Sequence, residues 1–115
     1  MDAVFAVKST VRGRVQLGQA EDLGPGGMTL RRLPEFPAPP GSAITLTFAL
    51  PEGTPAAPLL KVTGVVVSDA LAGTFRRTGV RFAGLSDEAT QRIAQFCEAE
   101  SERFYPAAGA ALSSA

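Results

Sequence analysis

The sequence predicts a mainly β domain, about six short strands closing as a small antiparallel barrel, followed by one C-terminal helix. Three observations carry that prediction. Apolar residues recur with period two in several short runs. Gly and Pro interrupt the chain every several residues, the spacing of a small β fold. At Ser86 the apolar period changes from two to that of a helix.

The elements follow in chain order. Val4 to Val11 mixes β-branched and aromatic residues and stops at Arg12-Gly13, a turn signal. Arg14 to Leu23 alternates Val15, Leu17 and, less cleanly, Ala20 with polar neighbours, which suits a half-buried strand with its apolar residues toward the core. Asp22-Leu23-Gly24-Pro25-Gly26-Gly27 is the densest turn signal, since Gly admits positive φ and Pro fixes its own. Met28 to Leu33 reads as a short strand with Met28 and Leu30 on one face. Four prolines at 34, 37, 39 and 40 then exclude a helix or central strand.

Ile44 to Leu50 is the clearest strand, with Ile44, Leu46, Phe48 and Leu50 on one face. A Pro, Gly and Ala loop at 51–58 leads into Leu59 to Asp69. Val65-Val66-Val67 is apolar on both faces, as a central or barrel-closing strand would be, and Gly64 signals a bend or bulge. Phe75 to Phe82 completes the set. In the helix, placed at about 86–104, Ser86 is the N-cap and Asp87 and Glu88 favour the positive end of the dipole. Ala89, Ile93, Phe96, Cys97 and Phe104 form its apolar stripe. One domain of residues 1–105 results, with 106–115 expected as a disordered tail because it has nothing to bury.

Composition narrows the function. With no His and a lone Cys97, neither the usual zinc sets nor Ser-His and Cys-His catalytic arrangements can be built within these 115 residues. Eleven basic residues balance eleven acidic ones, so no global field draws in a polyanion such as DNA. Nothing has the length and apolarity of a membrane span, and Met1 to Phe5 lacks the pattern of a secretory signal, so a cytoplasmic location is expected. Glu21 and Asp22 are adjacent on a strand end and diverge, which argues against paired acid–base catalysis. The chain is therefore expected to be no enzyme, with no metal and no resident cofactor.

The Asp22-Leu23-Gly24-Pro25-Gly26-Gly27-Met28 segment resembles the Asp/Asn-x-Ser-x-x-Gly signature of PilZ domains. Pro40-Gly41-Ser42 before the alternating strand, Leu50-Pro51 at its end, Gly64-Val65-Val66, and Gly79-Val80-Arg81-Phe82 before the helix agree with it, over roughly residues 3–100. The resemblance implies a six-stranded barrel that receives cyclic di-GMP, with the signature turn beside the guanine and an N-terminal Arg-x-x-x-Arg segment over the phosphates. Forked Arg donors suit such a ligand.

The sequence departs from that pattern twice: Gly24 stands in place of the Ser, and no Arg-x-x-x-Arg precedes the first strand. Lys8 and Arg12 have the spacing but fall in the strand and turn. The resemblance thus implies a module of cyclic di-GMP signalling with a degenerate site that acts as a protein-interaction adaptor. Its alternative is a true cyclic di-GMP effector.

Candidate ligand residues are Asp22, Gly24, Gly26, Gly27, Arg12, Arg31 and Arg76. Arg31-Arg32 and Arg76-Arg77 are adjacent pairs whose members point to opposite faces, so one from each could share a basic patch if the two strands are neighbours. Each also has a plainer reading: Asp22 as a turn residue bonding its own backbone, the arginines as solvated surface charge. Cys97 reads as a small buried hydrophobe, and Phe36 as an exposed contact or a loop anchor. A homodimer is one form open to the chain. A barrel binding single-stranded nucleic acid would need a basic groove with stacking aromatics, which the balanced charge does not favour.

Overall fold

In the computed structural model, which describes residues 2–50 and 59–104 and the side chains of 5–50 and 59–98, the strands are β1 (Asp2–Val11), β2 (Arg14–Gly24), β3 (Gly27–Arg32), β4 (Ala43–Phe48), β5 (Leu60–Ala72) and β6 (Phe75–Ala83), followed by helix α1 (Asp87–Phe104). They close as a barrel in the order β1-β2-β3-β6-β5-β4, all neighbours antiparallel. The loop expected at 51–58 and the tail at 106–115 fall outside the described residues.

Arg12 and Gly13 have φ of 52° and 80°, the left-handed pair that lets a two-residue turn follow the right-handed twist of its strands. The turn fixes the register Val11↔Arg14, Ser9↔Gln16, Val7↔Gly18 and Phe5↔Ala20. Because Phe5, Val7, Ser9 and Val11 are buried, their partners on β2 share the inner face, and Gln16 and Ala20 are buried. This corrects the expected face of β2: Val15 and Leu17 are 58% and 72% exposed. The alternation is real, but the partner strand sets its phase. A register shift between Ala20 and Asp22 then turns Leu23 inward.

On β3 and β4, Met28, Leu30, Ile44, Leu46 and Phe48 face the core as expected, and Leu50 stays buried just beyond the strand. On β5 the irregularity lies between Val66 and Ser68 and not at Gly64, which keeps its register between Ile44 and Phe82. Gly64 is required instead by close approach, since a Cβ there would press on the Val80 side chain and the Arg81 carbonyl. Val66 points inward, whereas Val67, at the bulge, is exposed.

Both barrel ends are closed. At one end the helix lays Ala89, Ile93 and Phe96 on the core, and the rings of Phe48 and Phe96 lie 5.6 and 6.3 Å from that of Phe5. Burying each such side chain stabilises the fold by about 1.5–3 kcal/mol. Ser86 Oγ accepts the Ala89 N–H at 3.1 Å, the N-cap read from the sequence. At the other end the proline-rich segment 33–42 crosses from β3 to β4. Ala38 is fully buried, and Gly41 N–H donates to the Val66 carbonyl at 2.7 Å. Among the described residues no helix is long and apolar enough to cross a membrane.

Candidate functional site

The β2–β3 hairpin carries the signature residues at the helix-covered end of the barrel. Gly24 pairs with Gly27, so Pro25 and Gly26 make a two-residue turn. The expected positive φ is absent from Gly24, Gly26 and Gly27, and occurs among the glycines at Gly13, Gly41, Gly73 and Gly84. What demands glycine at position 27 is space: a Cβ there would collide with the Val80 carbonyl oxygen of β6. The Phe82 N–H also donates to the Gly26 carbonyl at 2.9 Å, and the two strands stay pressed together. Cys97 on the helix points its thiol at the Leu23 carbonyl, 3.5 Å away, and burial pushes that thiol above its ordinary pKa.

Asp22 is exposed and sits opposite Thr29 on the outer face of β3. Arg81, also exposed, sits opposite Gly27 from the other side. Two residues further along the same face, Arg31 pairs in register with Arg77. Glu21 holds both, Arg31 Nε at 3.0 Å and Arg77 Nε at 2.9 Å, and the Arg31 guanidinium lies 3.9 Å from the centre of the Phe75 ring. The hydrogen bond to Glu21, with its charge, raises the Arg77 pKa.

The inward members of the two pairs, Arg32 and Arg76, are also in register and meet on Asp69. Arg76 Nη1 is 2.9 Å from Asp69 Oδ2, and Arg32 Nη1 is 3.6 Å from Oδ1. The Thr78 hydroxyl donates to Oδ1 at 2.7 Å and the Ala38 N–H to Oδ2 at 3.0 Å. Arg76 Nε donates to the Pro34 carbonyl at 3.4 Å, so the cluster ties the crossing segment to the barrel. Burial lowers the Arg32 pKa; Asp69 opposes that shift and Arg76 adds to it.

The candidate residues are therefore not all brought together. Asp22, Gly24, Gly26 and Gly27 form one hairpin, and Arg31 shares its outer face. Arg12 lies at the far end of β2, eleven residues of strand away, roughly 35 Å at ~3.3 Å per residue. Arg76 faces inward toward the same far end. The patch imagined from one Arg of each pair does form, but as Arg31 with Arg77 outside and Arg32 with Arg76 inside; Arg31 and Arg76 themselves are on opposite faces. Two residues were missed: Arg81 beside the hairpin, which the Gly79-Val80-Arg81-Phe82 segment could have offered, and, at the far end with Arg32 and Arg76, Asp69, whose inward aim depends on the bulge at Val67.

Among the described residues no three His, Cys, Asp or Glu group as metal ligands would. No curated protein matches the chain. Among solved structures it is similar to the Bacillus subtilis inhibitor of motility MotI/DgrA, with a TM-score of 0.81 and 16% identity over 90% of this chain and 49% of that one. It is also similar to a pathogenic protein of Xanthomonas campestris described as a tetrameric PilZ domain self-assembled through a helical bundle, with a TM-score of 0.60 and 22% identity over 78% of this chain and 48% of that one. The chain thus spans about half the length of each. The family model of the PilZ domain matches residues 1–99, and with the closed six-stranded barrel and its C-terminal helix already in place, the chain belongs to the PilZ domain family of cyclic di-GMP signalling modules.

Proposed function

We propose that this PilZ domain is a non-catalytic, cytoplasmic adaptor, a receptor fold whose cyclic di-GMP site is degenerate and whose output is protein contact. The observation that carries the reading is the state of the signature hairpin. Gly24 brings no hydroxyl, and two of the three arginines that flank Asp22 on its outer face, Arg31 and Arg77, are held by Glu21. Arg12 and Arg76 are remote from it. A ligand with two phosphates would need several charge-assisted bonds, each worth about 1.5–3 kcal/mol, and the lack of two weakens binding by about 100-fold or more.

The second reading is a genuine effector that binds through Asp22 and Gly27. Arg81 favours it, because it is exposed and pairs in register with Gly27, on the face of the sheet that also carries Asp22. Surface ion pairs such as those of Glu21 contribute about 0–1 kcal/mol, so Arg31 and Arg77 can be released to a ligand at small cost.

Calorimetric titration with cyclic di-GMP separates the two. The adaptor predicts no binding heat up to about 0.5 mM ligand. Micromolar binding that disappears in both Asp22→Ala and Arg81→Ala would establish the effector instead.

A further inference from the structure

The end of the barrel opposite the signature hairpin contains a cavity of about 370 Å³ between the β1–β2 turn, the end of β3 and the crossing segment. That volume lies in the range of small-ligand sites, about 300–1,000 Å³. Its wall includes Arg12, Arg14, Gln16, Arg32, Glu35 and Phe36. We propose that this cavity is a second binding site, for a small organic anion that carries a phosphate or carboxylate together with a hydrogen-bond donor.

Two buried side chains of the wall have polar atoms that find no partner among the described residues, Gln16 Oε1 and Arg32 Nε. Gln16 is 8% exposed and Arg32 is 3% exposed. Buried polar groups are paired in the great majority of cases, and an orphan acceptor and an orphan donor in the wall of one cavity complement a ligand offering one of each. A ligand seated against these two side chains would supply the bonds that they lack.

Charge selects an anion. Arg12, Arg14 and Arg32 face the cavity against Glu35 alone. Asp69 pairs with Arg32 and Arg76 together, so one carboxylate faces two guanidiniums and the trio keeps a net positive charge. The Arg14 guanidinium rests 4.2 Å from the centre of the Phe36 ring, which holds it at the rim. Arg12 also lines the cavity, from the left-handed turn position with φ 52°, a conformation unusual for a non-glycine residue.

The test is an NMR titration of the full chain with glucose 6-phosphate, gluconate and neutral glucose, following the Gln16 side-chain amide and the Arg32 Nε–H. Saturable shifts of both signals are expected with an anion and not with glucose; stronger response to glucose 6-phosphate assigns a phosphate ligand, and to gluconate a carboxylate. Arg12→Ala and Arg14→Ala, both at exposed positions, should each weaken binding about tenfold. Asp22→Ala should leave it unchanged, which keeps this site separate from the hairpin and from the adaptor reading. Failure of both anions to move these signals at about 20 mM, an equal response to glucose, or full binding in the Arg12→Ala, Arg14→Ala double variant would overturn the proposal.

Discussion

Asp69 receives two guanidiniums, a hydroxyl and a backbone N–H, with its own side chain 3% exposed. Its removal would leave the Arg32 side chain, 1% exposed, with an uncompensated charge and would take away the acceptor of the Ala38 N–H, one of the bonds that tie the crossing segment to the barrel. Breaking a buried pair on one side costs about 3–5 kcal/mol. Asp69→Ala is therefore expected to lower stability by that amount in urea unfolding, and a loss below about 1 kcal/mol would mean that both guanidiniums reach water instead. Nothing local in Val67-Ser68-Asp69-Ala70 announces this role. Strict alternation from Val66 would send Ser68 inward; the extra residue at the bulge sends Asp69 there. The hairpin around Pro25-Gly26 was legible because Gly and Pro mark a turn locally, whereas a residue aimed by a bulge leaves no such mark.

The same contrast holds for whole elements. The helix was readable almost to the residue, since the Ser86 cap, the acidic first turn and the apolar stripe all lie within its own segment. β2 was placed correctly and faced wrongly, because its inner face is dictated by β1 through the length of the Arg12-Gly13 turn. That turn geometry favours Asn at its first position, and holding a non-glycine residue left-handed costs on the order of 1 kcal/mol or more. Arg12→Asn is accordingly expected to stabilise the domain by about 1 kcal/mol, raising its melting temperature by about 4–8 °C. A drop in melting temperature would show that Arg12 contributes more through its side chain than the turn loses through its backbone.

At the scale of the molecule, one core runs from the helix-covered end to the proline-rich segment, so the barrel and helix should unfold as a single unit. Far-UV circular dichroism and the labelling of Cys97, which is partly buried between helix and hairpin, should give the same urea midpoint. Earlier exposure of Cys97 would mean that the helix undocks from an intact barrel. The fold class was open to sequence reasoning because it depends on counting strands and turns. The site was open only in part, because which arginines share a face depends on the pairing of β3 with β6, strands separated by more than forty residues. Closure of the sheet has one more consequence. Among the described residues each strand has a neighbour on both sides over part of its length, so a partner's extended segment could add itself only along short stretches such as Arg14 to Gly18 of β2, which pairs with β1 but not with β3. On the adaptor reading, a protein partner would therefore be recognised mainly through side chains, on the outer wall or at the two ends of the barrel.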